Sequence, residues 1–202
     1  APDAYRYIHD RYNGYFKDLI NIYGYYDLFF LSRENGDIFY TVKKESDFAT
    51  RISQIRSPLR KIWRKTVQSG RPAISDTELY MPSIHIPAQF ISFPIYSNRK
   101  ILGVLAIQVT IESIDEIMKE RSGLWQTAET YLVGPDFKMR SDSFLDPNNH
   151  SVHASLHGSV EENGADGFAV RNALKGVSGH TIGNNYLGRK TISSYAPVHI
   201  RS

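Results

Sequence analysis

The chain opens on an amphipathic run. Tyr5, Ile8, Tyr12, Tyr15, Leu19, Ile22 and Tyr23 recur at steps mostly of three or four, which predicts a helix over residues 3–24. Asp3, after Pro2, is placed to cap it. Gly14 lies inside the run at a cost of about 1 kcal/mol, which a close contact at that position would explain. The period then changes. Tyr26–Leu31 is apolar and aromatic, which predicts a buried strand. Asn35-Gly36, within Glu34–Asp37, is a strong hairpin signal, and Ile38–Val42 is the returning strand. Residues 46–69 hold helical turns that end at Gly70-Arg71-Pro72. Ala88–Tyr96 and Ile101–Ile111 predict a second hairpin around Ser97–Lys100.

Residues 111–121 are amphipathic, with Ile114, Ile117 and Met118 on one face of a connector helix. Strand grammar then resumes. Thr130–Val133 and Lys138–Ser141 flank the turn Gly134-Pro135-Asp136. Residues 146–165 are polar and turn-rich. Phe168–Leu174 predicts a short helix, 176–184 a turn and strand, and Thr191–Ile200 a strand.

The pattern repeats in degenerate form. Each half opens with a strand and a turn: Tyr26-Asp27-Leu28 in one, Tyr131-Leu132-Val133 in the other. Each half later carries a strand with serine, an aromatic, then proline before a β-branched residue. These are Phe90–Ile95 and Ile192–Val198. Two similar mixed α/β units joined by a connector is the physical reading. The first half continues from that strand into Ile101–Ile111. The second reaches Ser202 without a counterpart, so its unit is expected to lack its last strand.

Composition narrows the class. The chain has 202 residues, room for one domain or two small ones at about 100–200 residues each. Hydrophobic residues are 41% and charged residues 22%, which suits a packed core and excludes disorder. There is no cysteine, so no disulfide framework exists. No run of about 18 apolar residues is present to span a membrane. The chain is therefore expected to be either cytosolic or a soluble piece of something larger. The net charge is +3. Its densest basic run, Arg56 to Lys65, carries no nucleic-acid readout motif, and no nucleic-acid partner is expected. The 13 Tyr and 10 Phe point instead to pockets with buried rings and engaged hydroxyls.

Several stretches, read in order, resemble a double Cache sensor domain. They are Tyr25–Leu31, Gly36–Val42, Lys44–Phe48, Ala88–Ile95, Leu102–Gln108, Gly123–Asp136 and Met139–Ser143. The resemblance covers essentially the whole chain. It implies an α+β fold: a long N-terminal helix (1–24), then two PAS-like units with antiparallel sheets. The membrane-distal unit is 25–112, the connector 113–124 and the membrane-proximal unit 125–202, the last lacking its final strand. It implies an extracytoplasmic sensor on the periplasmic or extracellular face of the cytoplasmic membrane. Anchoring helices would lie outside this chain, and outputs would be histidine kinases, chemoreceptors or diguanylate cyclases. Small ligands would bind the distal unit. A homodimer along the first helix is a candidate assembly, although packing on the units explains the aromatic stripe equally well.

Within the distal unit, residues 70–89 have no strong period and read as a functional lid. Asp76 is a candidate acceptor for a ligand amine, or a turn or helix cap. Tyr80 either closes a pocket or packs in the core. His85 either titrates beside an anion or is a surface histidine. Gln89, at a strand start, can read a carboxylate or amide. Tyr40 and Phe93, on strands of this unit, complete the ring-bearing candidates, and Lys43 and Arg60 are the candidate cations. Amino-acid-sensing members carry Arg-x-Trp-Tyr before the pocket loop. Here the nearest string is Arg60-Lys61-Ile62-Trp63-Arg64, whose spacing and last residue differ. A small carboxylate, an amine or another metabolite therefore stays open as ligand.

Other chemistry finds little support. His150, His153 and His157 share a helical face that suits zinc, but Pro147-Asn148-Asn149 and Gly158 bracket them too tightly for more than a short helix. No nucleophile elbow, phosphate loop or metalloprotease helix occurs, and no cofactor motif is present. A free periplasmic solute-binding protein and an enzyme are the alternatives to a sensor.

Overall fold

The computed structural model describes residues 3–84 and 86–198. His85 and the predicted strand end at His199-Ile200 lie outside the described residues. The chain divides into two units, one running to Thr110 and the other starting at Ile111.

The first unit begins with helix α1, Asp3–Tyr23. Strands β1 (Tyr25–Ser32) and β2 (Ile38–Thr41) follow, then helix α2 (Pro58–Ser69). The short strands β3 (Ala73–Ile74) and β4 (Glu78–Tyr80) precede the long pair β5 (Ile86–Ser97) and β6 (Lys100–Val109). The antiparallel order is β2-β1-β6-β5-β3, with β4 also paired to β5. This is the PAS-like arrangement that the resemblance implied. The sheet is covered on both faces, which is why β1 reads as an unbroken apolar run rather than an alternation. Phe29 and Leu31 face one core, with Leu59, Ile62 and Trp63 of α2. Leu28 faces a second, with Ile20 of α1 and Tyr40 of β2.

Helix α2 is specified locally. The Ser57 hydroxyl accepts from Arg60 N at 3.1 Å, Pro58 occupies the first turn, and Gly70 ends the helix in the left-handed region. Leu59, Ile62, Trp63 and Thr66 form its buried stripe. The hairpin between β1 and β2 is longer than a two-residue turn, because Gly36 N donates back to Ser32 O at 3.1 Å. Gly36 has φ +66°, and a Cβ there would stand 2.5 Å from Ile52 Cγ2, so both backbone and space require glycine.

Residues 70–89 are not a free lid. Ala73, Ser75 and Thr77 are buried in alternation, the strand period. Ser75 N donates to Phe90 O at 2.9 Å, and Phe90 N donates to the Ser75 hydroxyl at 2.9 Å. These bonds hold the segment to the sheet edge.

The second unit contains helices α3 (Ile111–Met118), α4 (Val152–His157), α5 (Val160–Asn163) and α6 (Phe168–Leu174). Strands β7 (Gly179–Asn184) and β8 (Lys190–Tyr195) form a two-stranded sheet with Ile182 opposite Ile192. Among the described residues no third strand pairs with β8. The predicted hairpin at 130–141 is reduced to a single bridge, Val133 to Met139. Gly134 N and Arg140 N still bond across it, to Lys138 O at 2.9 Å and Leu132 O at 2.8 Å, while two other backbone donors turn to serine side chains. Leu132 N donates to Ser141 Oγ and Met139 N to Ser155 Oγ, both at 2.9 Å.

Candidate functional site

Phe90, Gln108 and Asp27 stand side by side across β5, β6 and β1, on the sheet face that carries α2. Two segments close over this row. One is residues 43–50, bent sharply where Lys44 and Ala49 take positive φ of 55° and 60°. The other is β4 with the 3-10 turn that follows it, ending at Ile84 with φ 56°. The bends bring Glu45 and Asp47 from the first segment against Tyr80 and Ser83 from the second.

Asp27 is fully buried and fully bonded. Its Oδ1 accepts from Leu28 N at 2.7 Å, Val42 N at 2.9 Å and Lys43 N at 3.1 Å. Its Oδ2 accepts from the Thr41 hydroxyl at 2.7 Å. Asp47 Oδ2 accepts from the Tyr80 hydroxyl at 2.6 Å, while Oδ1 has no partner. Glu45 accepts from Tyr26 at 2.6 Å and from Ser83 at 2.7 Å. Gln108 Nε2 donates to Ser83 Oγ at 3.3 Å, and its Oε1 has no partner.

Burial pushes the Asp27 and Asp47 carboxyls above the usual aspartate range, against the hydrogen bonds they receive. Asp27 and Glu45 push Asp47 further the same way. Burial, with the Glu45 contact, raises Tyr26 to about 12, and burial beside Asp47 raises Tyr80. Among the described residues no Lys, Arg or His forms an ion pair with Asp27, Glu45 or Asp47. The cluster is a buried anionic centre lined by hydroxyls and aromatic rings. Among the described residues no group of three His, Cys, Asp or Glu side chains is arranged to hold a metal ion.

Of the sequence candidates, Tyr80 lies within this cluster. Lys43 flanks it, giving its backbone N–H to Asp27 while its ammonium sits 5.1 Å over the Tyr26 ring. Asp76 is exposed and accepts from Thr77 N at 2.7 Å, a local turn bond. Gln89 donates to Ser75 O at 3.1 Å and ties β5 to the edge segment. Tyr40 is on the α1 face, donating to Asn13 Oδ1 at 3.0 Å. Phe93 is partly exposed and shares its face with Leu105, away from Phe90. Arg60 lies with Arg56 and Arg64 along a shallow basic groove of about 660 Å³ on α2. His85 is outside the described residues.

Sequence reasoning passed over Asp27, Glu45, Asp47, Ser83 and Gln108. Two of them carried a signal. Asp27 is a lone carboxylate in an apolar strand, and Gln108 a lone amide in another. A polar side chain buried in such a strand needs dedicated partners.

The second unit is built around a different network. Glu129 Oε2 accepts from the Ser143 hydroxyl at 2.9 Å, Phe144 N at 3.0 Å and Leu145 N at 3.2 Å. Its Oε1 accepts from Tyr186. The Tyr186 ring lies 4.5 Å from His150, whose Nδ1 is 2.8 Å from Asp146 Oδ2. A cavity of about 280 Å³, lined by Phe168, Thr181, Tyr186 and Ser193, lies between α6 and the hairpin.

An antiparallel sheet of this order led by a long helix is a PAS-like α+β fold. Solved structures agree. The extracellular domain of mmHK1S-Z2, assigned as a histidine kinase, matches with a TM-score of 0.58 at 13% identity, covering 94% of this chain and 76% of that one. The sensory domain of the Campylobacter jejuni chemoreceptor Tlp3 matches at 0.55 and 14% identity, covering 83% and 60%. The V. cholerae histidine kinase DctB sensor domain matches at 0.51 and 15% identity, covering 70% and 51%. The chain thus spans about half the length of the DctB domain and more of the other two. At these identities the likeness is one of fold. No protein-family model matches the sequence, and no curated protein does.

Proposed function

We propose that this chain is the extracytoplasmic ligand-sensing part of a transmembrane signalling receptor of the double Cache type. The first unit binds a small molecule and the second relays the change towards the membrane. The carrying observation is the polar centre of the first unit. It is sealed inside a fold shared with histidine kinase and chemoreceptor sensor domains, and two of its buried acceptors lack partners. The domain itself is a binding module, and the receptor's catalytic or chemotactic output is carried elsewhere. Among the described residues no helix is long and apolar enough to cross a membrane, so anchoring is assigned to segments other than these.

Signal transfer through a second copy is part of this reading. Ile8, Tyr12, Tyr15 and Ile22 of α1 are exposed, at helical spacings that suit a helix–helix seam. A ligand acts by favouring one conformation of the first unit over another, and only by its differential affinity for the two. The test is a thermal-shift screen of amines, carboxylates, amino acids and sugars, followed by calorimetry. A saturable ligand whose affinity falls on substitution in the first unit supports the reading. A screen without any hit, or a hit that is turned over, overturns it. Light scattering tests the seam: Tyr15→Lys with Ile22→Lys is expected to leave only monomer.

A further inference from the structure

We propose that the outer face of α2 is an anion site, which takes a soluble condensed phosphate such as tripolyphosphate. The site is separate from the polar centre of the first unit, and its test does not depend on the sensing role of that centre.

Helix α2 has two unlike sides. Leu59, Ile62 and Trp63 are buried in the core with the sheet, and Thr66 bonds to Ser92 of β5 at 2.6 Å. The other side carries the groove of about 660 Å³, and every side chain lining it is either basic or neutral and polar. Four of them, Arg56, Arg60, Arg64 and Lys65, have no acidic partner among the described residues. The remaining cation, Lys61, is already neutralised by Glu78 at 2.6 Å.

This arrangement works against the helix that carries it. Arg60 lies in the first turn, where the helix dipole disfavours a cation, and no acidic residue stands in that turn to offset it. Arg60 with Arg64, and Lys61 with Lys65, are like charges four residues apart, a destabilising spacing. An independent observation concerns Arg60 alone. Its Nε is buried with no hydrogen-bond partner, so the guanidinium is partly desolvated without a countercharge. An anion in the groove reverses all three effects. It is favoured near a helix N-terminus, it separates the like charges, and it supplies the absent countercharge.

The chemistry of the groove narrows the anion. Guanidinium groups hold phosphate oxygens through paired N–H donors. Arg60 and Arg64 stand about 6 Å apart along the helix axis, so a row of charged groups matches them better than a single one. Among the described residues no ring lines the groove for a base to stack on, which disfavours a nucleic acid. No aliphatic side chain lines it either, which disfavours a lipid. A linear anion made of phosphate groups alone needs neither.

The experiment titrates tripolyphosphate, pyrophosphate and orthophosphate into the whole chain by calorimetry at about 150 mM salt. Tripolyphosphate is expected to bind with about tenfold or more the affinity of orthophosphate, and to raise the unfolding temperature. Arg60→Gln with Arg64→Gln is expected to weaken it by about tenfold or more. Arg64→Gln with Lys65→Gln, at two exposed positions, gives the same readout if circular dichroism shows the first pair to disturb the fold. Arg189→Gln with Lys190→Gln removes as much charge from exposed positions of the second unit, and is expected to leave binding unchanged. The proposal fails if tripolyphosphate does not bind, or if the remote pair weakens it as much as the groove pair does. Groove-dependent binding of heparin or of phosphatidylglycerol vesicles in place of tripolyphosphate also overturns it, and assigns the face to a glycan or to a membrane.

Discussion

The two units solve the same folding problem with different means. The first closes a six-stranded sheet between two helices and buries large side chains: Phe29, Phe90, Leu59 and Tyr80 are inaccessible. In the second, Met139 is the one large apolar side chain that is fully buried among the described residues. Its two strands leave Ile182 and Ile192 exposed on their outer face. What knits it together is polar: the four bonds to Glu129, the Asp146–His150 pair, and serine caps on α4 and α5. An unpaired buried acceptor carries a desolvation cost in either unit, and the first unit has the larger apolar burial to offset it. A unit held mainly by polar bonds has less apolar burial to set against the same cost. That is a physical reason for the unpaired buried acceptors among the described residues to lie in the first unit.

The contrast can be broken by substitution. Phe90→Ala is expected to have the largest effect, destabilising the first unit by about 3–5 kcal/mol through lost burial and a cavity. Urea unfolding, with hydrogen exchange to resolve the units, measures it. Glu129→Gln is expected to cost the second unit about 1.5–3 kcal/mol, the range for hydrogen bonds to a charged group. A loss in the first unit comparable to that in the second would remove the distinction. Ser57→Ala takes away the α2 cap and is expected to cost about 1 kcal/mol by the same measurement.

Asp47→Asn sharpens the comparison from the opposite side. The raised Asp47 carboxyl means that the folded state binds a proton more tightly than the unfolded chain. That contribution is complete below the ordinary aspartate value and is lost as pH rises through the folded-state value. Unfolding temperature is therefore expected to rise as pH falls through the folded-state value towards the ordinary aspartate value of about 3.9. The asparagine variant should be at least as stable as wild type near neutrality and show a flatter profile. A steeper profile would mean that Asp47 is held as a paired anion. Ile192→Ser, on the open face of the second unit, is expected to change stability least, by less than about 0.5 kcal/mol.

Much of the first unit was legible along the chain. Helix α1, both long hairpins and the buried stripe of α2 follow from apolar period, Asn-Gly and Gly-Arg-Pro punctuation, all of which act over a few residues. Residues 70–89 misled because two- and three-residue strands are too short to show a period. Tyr80 was found as a ring that either closes a pocket or packs in the core, and it does the packing while holding Asp47. Asp76, the neighbouring candidate, bonds within its own turn. Nothing local separates those two residues.

Period, turn chemistry and composition are properties of neighbours in sequence, and they were enough for two α/β units. The polar centre is of another kind. Asp27, Glu45, Asp47, Tyr80, Ser83 and Gln108 come from four separate segments, and each alone has an ordinary explanation. Whether a carboxylate is solvated, paired or left with an empty oxygen depends on what the sheet and its roof bring within about 3 Å of it. Hydrogen bonds and desolvation act over that distance in space, whatever the separation along the chain.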